Sequence, residues 1–214
     1  MDTHKITISL AVISLLSTFS ATATSNAAIS QSYIAVGGQH SKISANGMQT
    51  YFGELYNNDV NKDLHGYYID AKWHINQQFF VRVNHDYSTR MSTDLSQYFY
   101  AAGYNLAVTS NLHWFNAVGY ANYKADRTTS SGGHRKNDNG GVALETGLTF
   151  AVTTWLQTQP SYRYADYPNG GQHQFNLNNQ ILFGQHSALE LNLGYRDWHT
   201  LAETNYQVGY RYRF

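Results

Sequence analysis

Ten histidines and no cysteine set the limits on the chemistry this chain could carry. Without thiols, disulfides, thiolate metal sites and sulfur nucleophiles are excluded together. His40, His65, His74, His85, His113, His134, His173, His186 and His199 are scattered, with no close spacing on one face of an element. They read as ordinary polar residues rather than metal ligands. Asp197-Trp198-His199 sets a carboxylate beside an imidazole, and Asp86 and Asp94 offer further acids. Such a set activates water only if its geometry is fixed, and the two acids are eight residues apart in the chain. His85 with Ser88 supplies a base and a hydroxyl but no evident third partner, and His186-Ser187 is a similar pair at a tight turn. The run His134-Arg135-Lys136 suits phosphate groups, although a solvated loop has the same composition. No catalytic residue, cofactor or metal ligand is assigned on this basis.

The elements that must position these groups are strands. Only 13% of the residues are charged, about half the usual soluble share, while 15% are aromatic. Tyr is present 18 times and Gly 17 times, against 2 Pro, which favours β structure. A mean hydropathy of −0.47 does not argue against a membrane protein. In a membrane barrel, lipid-facing and lumen-facing residues alternate and average out polar. A net charge of +0 and the lack of a recognition motif give no reason to expect nucleic acid as a partner.

Residues 1–27 have the form of a secretory signal peptide. His4 and Lys5 make a weak basic start, Ile6–Phe19 is apolar, and Ser25-Asn26-Ala27 offers small residues for cleavage after Ala27. The remainder, 28–214, reads as one domain. Ser30–Gly38 is expected to be a first strand of undecided inner face, and 39–64 a long connection. Within that connection Met48, Tyr51, Phe52, Leu55 and Tyr56 recur at helical spacing, suggesting a short amphipathic segment or additional strand outside the membrane.

From His65 onward the alternation is regular. Tyr67, Ile69 and Trp73 oppose Tyr68, Asp70 and Lys72; Phe79, Val81 and Val83 oppose Phe80, Arg82 and Asn84. The pattern repeats through Tyr98–Val108, Leu112–Lys124, Val142–Val152, Leu156–Tyr164, Phe175–Phe183 and Leu189–Arg196. It ends on Glu203–Phe214, where Tyr206, Val208, Tyr210, Tyr212 and Phe214 share one face and Gln207, Gly209, Arg211 and Arg213 the other. About ten strands of ~11 residues result, the length a tilted membrane strand needs. Connections at Asn76, Ser110, Thr153 and Gln185 are tight. Those at Gln39, Ser88, Ala125, Tyr167 and Asp197 are longer and more polar. Pro160 is expected to force a bulge. The apolar face holds more aromatic volume than a small lumen could take, so it is assigned to lipid. The fold class is therefore all-β: a closed antiparallel transmembrane β-barrel of about ten strands in an up-and-down meander.

Hairpin arithmetic then predicts ion pairs in the lumen. A turn at Thr153-Thr154 places Glu145 opposite Arg163; Glu190 falls opposite about Tyr210, beside Arg211; Asp70 lies diagonal to Arg82. Charges withdrawn from bulk water need such partners.

The spacing of Gln207, Gly209, Tyr212 and Phe214 resembles the C-terminal sorting signal of bacterial outer-membrane β-barrels. The chain as a whole is similar to the small members of that group, which include structural anchors, adhesins, narrow channels and a few enzymes. The resemblance implies a cell-envelope protein of a Gram-negative outer membrane, delivered through the periplasm. Its partners would be periplasmic chaperones, the barrel assembly machinery, outer-membrane lipid and lipopolysaccharide. It leaves several functions open. A non-enzymatic role, structural or through extracellular loops, leads. A porin-like channel is the alternative, with Arg82, Arg163, Arg196, Arg211 and Arg213 favouring anions. An omptin-like protease, on Asp197, His199, Asp86 and Asp94, and a lipid A-modifying enzyme are kept as lesser readings.

Overall fold

The computed structural model describes residues 31–52, 62–128 and 132–214. The segment 1–27 expected to be a signal peptide, Leu55, Tyr56 and the tip of the 125–140 connection lie outside the described residues. Period-two alternation yields strands β1 (Tyr33–Ile43), β2 (Lys62–His74), β3 (Phe79–Arg90), β4 (Thr93–Thr109) and β5 (Leu112–Thr128). They are followed by β6 (His134–Ala151), β7 (Leu156–Tyr167), β8 (Gly170–Phe183), β9 (Ser187–Trp198) and β10 (Leu201–Arg213). Each strand pairs antiparallel with its sequence neighbours, and β1 pairs with both β2 and β10, closing the barrel. Closure leaves no open sheet edge around the wall, as hydrocarbon requires of a spanning sheet.

The faces divide as the alternation predicts. Trp73 is 58% exposed, Val142 61% and Val208 56%, whereas Asp70, Arg82, Glu145, Glu190 and Arg211 are buried. A soluble protein inverts that distribution; a barrel in lipid requires it. The undecided inner face of β1 is Tyr33, Ala35 and Gly37, with Ile34 and Val36 on the lipid side.

Three expectations are corrected. First, β1 continues to Ile43 and β2 begins at Lys62, so the first connection is shorter than 39–64. Gln39 and Ser41 are buried rungs of the inner face, not loop residues. Second, three outer connections are tight: Met91-Ser92, Pro168-Asn169 and His199-Thr200. Met91 and His199 take positive φ there, as does Gly170 after Asn169. Polar residues read as loop, such as Thr93, Asp94, Asn137 and Asn139, are strand instead. β4, β5 and β6 run 17, 17 and 18 residues and carry the sheet beyond the apolar band. Third, Pro160 makes no bulge. Pairing of β6 with β7 lapses between Gly147–Ser161 and Phe150–Thr158 and resumes in the same register. Pro160 still faces Leu177 on β8, so its missing N–H costs rungs on one side only. The register does shift, but elsewhere, between Ala107 and Thr109 of β4.

The first connection contains a one-turn helix, α1 (Gln49–Phe52). Its Tyr51, with Met48 just before it, turns into the end of the barrel opposite the C-terminus. There they join Leu64, Leu95, Tyr123, Tyr167, Trp198 and Leu201 in an apolar cluster. Tyr51 meets Tyr123 and Trp198 edge-on at 5.4 and 5.9 Å between ring centres. Asn137 donates to the Tyr51 carbonyl at 2.7 Å, and Thr50 to the Trp198 carbonyl at 3.1 Å. The helical spacing of the sequence thus marks an inward-folded cap.

Candidate functional site

Below the cap the lumen is filled by two ionic layers. In the lower one Arg82 donates to Asp70 through Nε at 2.8 Å and a terminal nitrogen at 3.1 Å. Its other terminal nitrogen reaches past the small residues Ala101 and Ala117 to Glu145 Oε1 at 2.9 Å. Glu145 Oε2 accepts two bonds from Arg163, at 3.1 and 2.9 Å, from the position directly opposite on β7. The Arg163 guanidinium also lies 3.7 Å over the Phe99 ring. Asp70, Arg82, Glu145 and Arg163 therefore form a chain, which the sequence presents as two separate pairs.

Glu190 anchors the other side. It pairs with Arg211, but the residue opposite it is Gly209 rather than Tyr210, because the β9–β10 turn is His199-Thr200. Tyr68, Gly37, Gly209 and Glu190 lie in one row across four strands. Tyr68 lies across both glycines and donates to Glu190 Oε2 at 2.7 Å. A Cβ on Gly209 would stand 2.2 Å from the Tyr68 hydroxyl oxygen and 2.6 Å from the Val36 carbonyl oxygen. Gly209 is needed here for close approach, apart from any part in a sorting signal. Tyr212 and Phe214 face outward, and the Phe214 ring meets Trp73 at a tilt, 5.3 Å between ring centres. Gln207 donates to Gln39 at 3.0 Å and to Asp86 at 3.2 Å, both inside.

The upper layer was not among the predicted pairs. Arg196 bonds Glu203 at 3.0 Å and pairs with Asp86 on the far side of the lumen. Gln97 links Glu203 at 3.4 Å to the Tyr51 hydroxyl at 3.1 Å, tying the ionic layer to the cap. The Arg196–Glu203 pair was within reach of hairpin arithmetic once the turn is set at two residues. The Arg196–Asp86 pair was not, since β9 and β3 are not neighbours. Between the layers lies a cavity of about 30 Å³, room for about one or two waters. At the end that holds the C-terminus, Lys72 rests 4.5 Å over Phe80 and 5.2 Å over Phe115.

The groups considered for hydrolysis are not brought together. Asp86 points inward to Arg196 while Asp197 and His199 are exposed. Asp94 accepts from Tyr87 at 2.8 Å. His85 stacks on Tyr98 at 4.3 Å on the outer wall, whereas Ser88 is buried inside. His134 and Lys136 contact Asp126 at 3.8 and 3.1 Å. Among the described residues no three or more His, Asp or Glu side chains gather as a metal cage.

No protein-family model and no curated protein matches the chain. Solved structures do. The outer membrane protease OmpT from Escherichia coli matches at a TM-score of 0.51 and 9% identity, over 92% of this chain and 99% of its own. Ail, the attachment invasion locus protein of Yersinia pestis, matches at 0.44 and 15%, over 86% and 99%. The N-terminal β-barrel domain of Pseudomonas aeruginosa OprF matches at 0.42 and 11%, over 86% and 98%. At 9% identity the likeness to OmpT is one of fold alone. The chain has the fold of the small bacterial outer-membrane β-barrels, closed by ten antiparallel strands.

Proposed function

We propose that the protein is a non-enzymatic integral barrel of a Gram-negative outer membrane, with a sealed lumen. Its role is structural or exercised through its extracellular end. One observation carries this reading: two paired ionic layers fill the lumen beneath an apolar cap. Arg82, Arg163, Arg196 and Arg211 are each occupied by a carboxylate, which leaves them poorly suited to passing anions. The separation of Asp86 from Asp197 and His199 likewise weighs against an omptin-like site. On this reading the wall meets outer-membrane lipid and lipopolysaccharide. The final strand is delivered by periplasmic chaperones to the barrel assembly machinery after export.

Planar-bilayer recording tests it. Purified protein is expected to insert without reproducible conductance steps; discrete anion-selective steps would favour the channel reading instead. Lipid A mass and peptide cleavage in expressing cells are expected to stay unchanged, and a change in either would favour a barrel enzyme.

A further inference from the structure

On the outer wall, away from the lumen, the β1–β2 register sets His40 directly opposite His65. Even-numbered β1 residues and odd-numbered β2 residues face out, so both imidazoles project beside Tyr67 and Tyr206 at the extracellular end of the apolar band. Their Nδ1 atoms are 3.2 Å apart and their ring centres 4.7 Å apart. Asp63 Oδ1 stands 3.6 Å from Nε2 of His40, and Arg90 lies 3.9 Å from the same carboxylate.

We infer that His40 and His65 form a two-imidazole chelate for a borderline divalent cation such as Zn²⁺, fixed across the first two strands of the barrel. Two nitrogens bound at 2.0–2.1 Å to a tetrahedral ion lie about 3.3 Å apart, close to the spacing found. Without an ion, one Nδ1–H donates to the other ring. Asp63 beside Nε2 of His40 favours the proton on that nitrogen and leaves the Nδ1 lone pair for a metal, the arrangement by which a carboxylate orients a ligating histidine. Both ligands sit on paired strands, so little ordering is needed on binding. The remaining coordination positions face outward, where water or a phosphate oxygen completes the shell. Sequence spacing hides the pair because its members are 25 residues apart.

Zinc chloride titrated calorimetrically into the full barrel, in micelles of a phosphate-free detergent, tests the inference. The expected result is saturable binding of one ion per chain. His40→Ala and His65→Ala should each weaken it at least about tenfold, while His173→Ala, placed elsewhere on the wall, leaves it unchanged. Cu²⁺ electron paramagnetic resonance adds a structural readout: two nitrogen couplings in the parent and fewer in His65→Ala. Heat-shifted mobility on gels verifies that each variant is folded. Absence of saturable binding up to about 1 mM, or equal binding by folded His65→Ala, overturns the site.

Discussion

Replacing Glu145 with Ala removes the residue that joins β3, β6 and β7 inside the barrel. Glu145 is 3% exposed and accepts three charge-assisted bonds, one from Arg82 and two from Arg163. The two guanidinium groups are not left equally poor. Arg82 keeps both bonds to Asp70, whereas Arg163 keeps a 3.4 Å bond to Gln174 and the face of Phe99. Breaking a buried pair by removing one partner costs about 3–5 kcal/mol, mostly for the uncompensated charge. With one cation stranded rather than two, a loss near the lower end, about 3 kcal/mol, is expected. That is roughly a hundredfold in the folded-to-unfolded ratio. Urea unfolding in lipid vesicles measures it. Trp73 and Trp114 are exposed on the wall, and Trp155 at the β6–β7 turn, so emission from the two wall residues reports transfer from lipid to water. Glu145→Gln, which keeps the shape and an acceptor, should fall between parent and Ala. A double-mutant cycle with Arg163→Ala isolates the pair, with coupling of about 1–3 kcal/mol expected. If Glu145→Ala unfolds within about 0.5 kcal/mol of the parent, the guanidinium groups are hydrated and the layer does not hold the barrel together.

Gly209→Ala should destabilise the seam by about 1–3 kcal/mol, because its Cβ meets both the Tyr68 hydroxyl and the Val36 carbonyl; a drop in the temperature of the heat-shifted gel band checks it. Tyr51→Ala should cost about 2–4 kcal/mol and move Trp198 emission to the red, since the two rings touch in the cap. Bilayers containing this variant should stay silent, because the ionic layers lie beneath the cap; conductance would place the seal in the cap instead. Lys72→Met should leave stability unchanged or raise it by about 1 kcal/mol. The Lys72 ammonium lies over ring faces that accept a thioether equally well, and urea unfolding again decides.

The barrel was legible in the sequence because one property, the alternation of side chains, governs nearly every strand. Trp114, Val118 and Tyr120 fall on the lipid face even where Asn116 blurs the frame. Strand ends were less legible. Gln39, Ser41, Asn137 and Asn139 have loop-like polarity, yet in a polar lumen that is the chemistry of an inner face. Hairpin arithmetic reaches adjacent strands only. It placed Glu145 opposite Arg163, missed by one residue at Glu190, and had no access to Arg196 with Asp86. The His40–His65 contact shows the same limit: spacing along the chain carries no information about a partner set by strand register.

The bonds that span the lumen bear on how the barrel enters a bilayer. Tyr68 and Glu190 are 122 residues apart, Asp86 and Arg196 110, Gln39 and Gln207 168. None of these can form in a nascent hairpin. A partly zipped sheet in hydrocarbon would carry its carboxylates and guanidinium groups without partners and expose two raw edges as well. Insertion and closure are therefore expected to advance together, without accumulation of a half-open sheet in the membrane. Folding into vesicles should accordingly follow a single slow phase, as expected when the decisive contacts join the two ends of the chain.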